Sequence, residues 1–598
     1  MTVRINNLQG NTDQFEEEKN NDDIINMYTI AARQTLDDKQ MAAYSIICCS
    51  FMMRYLIDTS SQSDEKRACR AILKMISNKI SDKAKKNDIK EMLKERGAQE
   101  QLVMFLSGPA GSGKSHVISS CQQCCKMFCD HAELPFDSDI FRITACTGSA
   151  AASLESGTTI HSAAEINKNE KNITYNSEEW EYTNILLIDE ISFFGYNSLV
   201  KLDKNLRLLT GDRGHLYGGR NLIFVGDFNQ LRTFDKIAIY ERDSILWQGS
   251  INAAVFLEQS HRFKDDPEWG NILERISTGT ATENDIKKIN SRVIDDKEVK
   301  IPTEGNICHA CPTNKGRNSI STYMFRDHVI STHPKFDDPE EEPPNHTIIV
   351  ESVIYKNNRR RTRAFHETIY NNVGDASVRT SHNKLIDPAL KLYHDLPVMS
   401  SSNKDVKNKI ANGTLARFKG IKLKNNDNSK VFFKNWDGYK VRTVSASDVE
   451  YILCEHWEGK KDIHGNILPP KKFKVSLEKS SAAMTINIHG INVTTQIKIH
   501  QFGILNNIGT TGHKLQGMSK DIIIVSDWSY IKNWVYVVLS RVRKLSGLYL
   551  QTPLDPLKYY KTDQPLEEET ARLLEVEKNT LKDLILTSFI FPNNSQLI

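Results

Sequence analysis

Residues 101–115 read "QLVMFLSGPAGSGKS", and the reading of this stretch decides the fold. A short apolar run ends in glycine and passes into a glycine-rich loop, a lysine and a serine. An apolar run of this length, without alternation, reads as a strand buried on both faces, as in a parallel sheet. The loop Gly108–Ser115 matches the phosphate-binding pattern and stands between that strand and an expected helix, where its physics requires it. Gly108, Pro109, Ala110, Gly111, Ser112 and Gly113 would turn backbone N–H groups toward phosphates, with a helix N-terminus behind them. Lys114 is placed to reach the β- and γ-phosphates and Ser115 to ligate Mg2+.

Working outward, "FRITAC", "NILLIDE" and "NLIFVGD" repeat the apolar run, with helical or loop stretches between them. This alternation predicts a parallel-sheet α/β domain over residues 97–258. "NILLIDE" delivers Asp189 and Glu190 to the carboxyl edge of the sheet, beside the loop. Asp189 suits the metal, and Glu190 suits orienting or deprotonating an attacking water. "FVGDFNQL" brings Asp227 and Gln230 to the same edge, with Gln230 placed to sense a γ-phosphate. The ligands expected from these residues are ATP and Mg2+.

At 598 residues the chain is too long for one core. It is 39% hydrophobic and 26% charged, with a mean hydropathy of −0.46, ordinary values for a soluble globular protein. No run approaches the length of a membrane span, and Met1–Ile5 opens no signal-peptide stretch. An intracellular location is expected, nuclear in a eukaryote, with the mitochondrion as the alternative. Eleven scattered cysteines fit a reducing compartment. Cys121, Cys124, Cys125 and Cys129 read as a packed helix face rather than a metal site.

Residues 1–25 read as disordered and 26–96 as helical. After the first α/β domain, with a small wedge insertion at about 155–180, residues 259–300 form a helical linker. "NICHACP" opens a second α/β domain over 301–414 and 501–560, interrupted by an exposed insertion at about 333–385. Residues 415–500, rich in short alternating segments, read as a small inserted β-barrel. Residues 561–598 hold an amphipathic helix and tail. The segment 404–442 carries eleven Lys or Arg against three Asp, with Phe432, Phe433, Trp436 and Tyr439 interleaved. That mixture suits either a single nucleic-acid strand or a strand-rich subdomain with its own core.

Several further stretches follow in order: "LDDKQMAAY", "TACTGSAAASLESGTTIHS", "LLIDEIS", "YGGRNLIFVGDFNQL", "LEQSHRF", "GTTGHKLQGMS" and "YVVLSRVR". Together they resemble the Pif-one-like helicases of superfamily 1B, including the helicase part of Helitron transposases. The resemblance implies an α/β fold of two RecA-like P-loop parallel-sheet domains, an inserted SH3-like barrel and a helical N-terminal region. It implies an ATP-dependent, monomeric DNA helicase moving 5′→3′ on single-stranded DNA and opening forks, without a membrane. The processes implied are replication, repair, recombination, telomere maintenance or transposition.

By the same resemblance, Gln40 contacts adenine, Gln516 and Gly517 join the nucleotide site, and Arg262 and Arg541 reach the γ-phosphate. Thr147, Gly148, Ser149 and His161 on the first lobe would face DNA. So would Thr511, His513 and Lys514 on the second, with Asn412 at the turn into the barrel. The chain departs from the family in three places, the first being a longer stretch between Gln40 and the phosphate loop. Leu231-Arg232-Thr233-Phe234 replaces a run with two prolines, and Gly512 stands where an aliphatic residue is usual. Other classes remain open at this stage: a nucleic-acid binder with non-productive motor motifs, an RNA-directed helicase, or a nucleotide kinase that would need no second-lobe arginine.

Overall fold

A computed structural model describes residues 26–584, apart from residues 60, 77–84, 155–156, 168–172, 174–179, 233–236, 243, 259, 296–298, 300–306, 357–358, 361–377, 380–384, 402–409, 411, 457–470 and 489–490. Much of the wedge stretch, the N-terminal 25 residues and Phe234 therefore lie outside the described residues.

The first lobe is a six-stranded sheet of β1 (Val103–Ser107), β2 (Phe141–Ala145), β3 (Thr158–Thr159), β4 (Ile185–Asp189), β5 (Asn221–Gly226) and β6 (Ala253–Phe256), in the order β3-β2-β4-β5-β1-β6. Every pairing is parallel. β1 and β5, at the middle, are buried along their whole length, which explains their unalternating sequence. All these strands run toward the same edge, so Ser107, Asp189 and Gly226 end side by side. The loops that follow them carry the polar residues.

One face of this sheet is covered by the helix Lys114–Ala132 and by the N-terminal helices, chiefly Asp38–Asp58. Asp38–Asp58 is long and apolar enough to cross a membrane, which corrects the expectation that no run approaches that length. It is apolar on nearly all sides because it is a core helix, mostly buried among its neighbours. Cys48, Cys121, Cys124 and Cys125 meet in this packing as buried free thiols. Burial pushes the Cys49, Cys125 and Cys129 thiols up to about 12, so they behave as small apolar groups. Among the described residues no group of His, Cys, Asp or Glu is arranged to hold a metal.

The second lobe holds a four-stranded parallel sheet in the order Gly509–Thr511, Ile307–Cys311, Ile522–Val525, Leu548–Leu550. Between Cys311 and Gly509 the chain leaves this sheet for the helix Asn314–Thr332 and a large β insertion. The strands of 415–500 are not a unit to themselves. Tyr439–Ser445 pairs with Ile348–Glu351, and Leu415–Leu423 with Pro397–Ser400, which in turn pairs with Ile504–Asn506. The stretch expected as an exposed insertion thus contributes a buried strand at Ile348–Glu351.

The C-terminal helix Gln564–Asp583 returns to the first lobe and lies along β6, the edge strand. Two outward N–H groups of that strand, Ala254 and Phe256, donate to Thr580 Oγ1 (3.2 Å) and Glu577 Oε1 (2.7 Å). Glu577 also pairs with Lys39 (2.7 Å), and Trp247 Nε1 donates to the buried Glu569 (2.7 Å). An open edge is thereby closed by side chains rather than by another strand. Asp563, which caps this helix, meets Arg232 of the first lobe and Lys532 of the second (2.5 Å). Glu577→Ala, which strands the Phe256 N–H and leaves Lys39 only Glu258 (3.4 Å), is expected to destabilise the first lobe by about 1–3 kcal/mol. Urea unfolding should show this, with Glu577→Gln recovering part of the loss.

Candidate nucleotide cleft and strand-facing surface

The loop after β1 is shaped by glycines with no room for a side chain. Gly111 (φ +85°) would place a Cβ 2.5 Å from Arg262 Cβ, and at Gly113 (φ +88°) it would strike the Gln40 amide. Helix Lys114–Ala132 starts directly from Gly113. Lys114 Nζ donates to the Gly108 and Pro109 carbonyls (2.5 and 3.0 Å), so its ammonium lies in the loop. Burial lowers its pKa, while Asp227, Glu190 and Asp189 oppose that shift. Ser115 is exposed on the first helical turn. Ser112 Oγ is buried with no partner among the described residues.

Gln40 is buried beneath the loop. Its Nε2 donates to Ser112 O (3.0 Å) and lies 3.2 Å from His261 Nε2, while its Oε1 accepts from Asp37 N (3.2 Å). The amide nitrogen thus braces the loop while the oxygen closes the N-terminus of its own helix.

The carboxylates stand at the same sheet edge. Glu190 adopts a left-handed backbone (φ +56°), and its N–H donates to Asp189 Oδ1 (2.8 Å). Burial, reinforced by the Glu190 charge, raises Asp189 to about 7, against the pull of Lys114. After β5, Asp227 accepts from Asn229 N (2.9 Å) and from Gln230 Nε2 (3.3 Å), and burial raises its pKa. Gln230 Oε1 is buried without a partner among the described residues.

The second lobe closes on these groups. Gln516 Nε2 donates to Glu190 Oε2 (2.8 Å) and Ser192 Oγ (3.2 Å), while its Oε1 accepts from Leu231 N (3.2 Å). A Cβ on Gly517 would sit 3.4 Å from Glu190 Oε1. Arg262 donates to Ser540 O (3.0 Å) and is lowered to about 9 by burial, with Arg541 its nearest like charge. Arg541 is also buried and lowered, donating to Val537 O (2.7 Å) and Ser540 Oγ (2.6 Å).

Two residues here escaped the sequence reading. Asn533 Nδ2 donates to the Phe228 and Gln230 carbonyls (3.1 and 2.8 Å). Tyr536 is buried beside the charges of Asp227, Arg541 and Arg262, and burial raises its hydroxyl pKa. Tyr536 opens the quoted "YVVLSRVR", so the signal was at hand; nothing local marks Asn533.

A second line of predicted residues runs behind the cleft. Thr147 caps Gly148–Ser153 through Ala150 N (3.2 Å). Gly148 opens that turn, and of Ser149 the structure describes only the backbone. His161 packs edge-to-face on Phe194 (5.8 Å), and His513 lies 6.4 Å from Phe193. One histidine from each lobe therefore touches the phenylalanine pair that follows Glu190. Thr511 leads into the turn Gly512–Leu515, and Trp534 fills the space a side chain at Gly512 would need. Lys514 Nζ donates to Asn412 Oδ1 (3.0 Å) and is lowered to about 8 by burial, with Arg317 adding repulsion. Arg317 is itself buried, a residue the sequence did not single out.

The basic-aromatic stretch is answered from within the chain. Arg442 pairs with Glu342 (2.8 Å) and Lys434 with Glu351 (3.0 Å), while Lys419 meets Asp395 (2.6 Å) and Glu455 (3.3 Å). Lys440 donates to the Asp338 and Glu341 carbonyls. Three of the eleven cations that suggested a nucleic-acid surface are therefore paired with carboxylates of the acidic-proline run and neighbouring segments.

Comparison with known proteins follows the same lines. Residues 81–280 match the PIF1-like helicase family. The ATP-dependent DNA helicase PIF1 of Saccharomyces cerevisiae is 30% identical over 218 residues, covering 34% of this chain and 24% of that protein. The chain spans about a quarter to a third of the length of the curated relatives it matches. The crystal structure of Pif1 helicase from Candida albicans superposes with a TM-score of 0.54 at 20% identity, covering 79% of this chain and 95% of that one. Pif1 from Bacteroides, solved with ADP-AlF3 and ssDNA, gives 0.52 at 18% identity, covering 80% and 94%. Residues 81–280, with the phosphate loop and the carboxylate pair among them, are thus similar to the PIF1-like helicases, on a chain with the fold of the solved Pif1 helicases.

Proposed function

We propose that this chain hydrolyses ATP between its two parallel-sheet lobes and uses the cycle to move along single-stranded DNA and open duplex ahead of it. The observation that carries the reading is Gln516. It lies in the same short turn as Thr511, His513 and Lys514, yet its amide grips Glu190 and Leu231 of the opposite lobe. A generic ATPase has no need of such a link. The relatives named ATP-dependent DNA helicases, and the neighbour solved with a nucleotide analogue and ssDNA, support the same reading.

The loop residues fit a nucleoside triphosphate. Its glycines leave a cradle that Cβ atoms would fill, and Ser112 Oγ waits there without a partner. Lys114 turns from the Gly108 and Pro109 carbonyls to the phosphates. Ser115 and Asp189 would hold Mg2+, which supplies positive charge to the phosphate oxygens when bound. Glu190 orients the attacking water and draws its proton. Arg262 and Arg541 leave backbone acceptors to meet charge developing on the γ-phosphate, a contribution of about 10³–10⁵ in rate for such arginines. Gln230 would report the same phosphate through its Nε2, the amide donor that rests on Asp227 Oδ2 (3.3 Å).

On the other side, Thr147, Gly148, Ser149 and His161 hold the strand against the first lobe, and Thr511, His513, Lys514 and Asn412 against the second. Phe193 and Phe194 join both grips to Glu190. The 5′→3′ direction rests on the family resemblance.

Steady-state ATPase with and without single-stranded DNA tests this reading. Strong stimulation, abolished in Lys114→Ala, is the expected result; turnover indifferent to DNA would sink it. Gln516→Ala should cut the stimulation factor about tenfold or more, since it breaks the inter-lobe link while leaving the loop intact. Lys514 supplies a pH signature. Its lowered pKa, about 8, means the ammonium is charged below that pH and lost above it. Affinity for single-stranded DNA should fall between pH 8 and 9 by up to about tenfold per unit. Lys514→Arg should flatten the profile.

A further inference from the structure

A polar cavity of about 430 Å3 lies between the second-lobe helix Asn314–Thr332 and the inserted strands, away from the nucleotide cleft. Its volume falls within the ordinary range for small-molecule sites. Asn506, the last residue of Ile504–Asn506, lines it five residues ahead of Thr511. The Asn506 Oδ1 accepts from Ile508 N (3.0 Å), which fixes the amide. Its Nδ2 is then left buried with no partner among the described residues, on a side chain that is 9% exposed. A buried donor kept unpaired asks for an acceptor from outside the fold.

The rest of the lining says which kind. Lys434 is paired with Glu351 (3.0 Å), Lys391 donates to Thr322 Oγ1 (3.1 Å), and Asp387 supplies a second carboxylate. The formal charges balance, so the cavity does not select a phosphate. Trp436 also lines it, fixed edge-to-face on Phe325 (5.1 Å, 81°). An indole beside amides and hydroxyls suits an uncharged, planar group with hydrogen-bonding edges. Two side chains lead from the cavity wall toward Lys514. Asn318, in its wall, accepts both Arg317 N–H groups (3.0 and 2.6 Å), and Arg317 is the like charge beside Lys514.

We propose that this cavity takes one unstacked nucleobase of the single strand crossing the Thr511–Lys514 turn. Trp436 stacks on the base and Asn506 Nδ2 donates to an acceptor on its edge. The inference rests on the reading of the chain as a single-strand motor. It adds a contact to a base where the predicted strand-facing residues hold the backbone.

The test is anisotropy titration of the full chain with labelled oligothymidylate and with an abasic backbone of equal length. Trp436→Leu removes the stacking face. Asn506→Asp removes the donor but keeps the acceptor for Ile508 N. Each variant is expected to weaken oligothymidylate binding about tenfold, the scale of losing one stacked base, and to bind the abasic strand like wild type. That unchanged abasic binding also shows the variants to be folded. Variants that hold oligothymidylate like wild type, or weaken equally on both strands, would overturn the cavity assignment alone. Wild type that binds neither strand would overturn the motor reading, and the cavity assignment with it.

Discussion

The amide of Gln516 has two ends, and the fold uses both of them across the gap between its sheets. One end holds the carboxylate of Glu190 and the other the backbone N–H of Leu231. A buried amide with both ends satisfied is stable only in one relative placement of its partners, because an unpaired polar group in such a site is costly. The cleft therefore has a defined closed geometry rather than a range of loose ones. Arg262 and Asn533 reinforce it with further cross-lobe bonds to Ser540 and to the loop around Gln230. Two short stretches lead away from this contact, the Thr511–Lys514 turn on one side and Phe193–Phe194, with His161 and His513 against them, on the other.

Such a link makes coupling reciprocal. A strand that favours this closed placement must favour the nucleotide to the same extent, because both act on one equilibrium. The parked positions of Lys114 and Arg541, each bonded to backbone carbonyls of its own segment, fit a cleft at rest. Their partners there are replaceable acceptors, so exchanging them for phosphate oxygens leaves no buried charge stranded.

The first sheet was legible from local pattern. Apolar runs ending in "SG", "DE" and "GD" mark β1, β4 and β5, because strands buried on both faces need no partner to be recognised. The P-loop and its carboxylates came with them. The cross-lobe bonds of Gln516 and the arginines were legible only through family resemblance, since nothing local in "KLQGMS" names Glu190. Asn533 and Arg317 were missed because their roles arise from segments hundreds of residues away. The limits of the β insertion were misread for a related reason. Its strands pair between 348 and 506, parallel in one case and antiparallel in others, and their register is set by those distant partners. The basic-aromatic segment shows the opposite hazard. Composition alone could not reveal that Glu342, Glu351 and Glu455 lie against its cations.

The helix along β6 has a consequence for the order of events at synthesis. The strand it closes ends at Phe256, yet the groups that satisfy its edge, Glu577 and Thr580, are made more than half the chain later. At ordinary elongation rates that delay is roughly tens of seconds. During that interval the first sheet can form while one edge still offers open donors to any passing strand. The nascent first lobe thus carries an unsatisfied strand edge that the finished one does not. Its Lys39–Glu577 contact also places this domain among long-range, slowly completed folds.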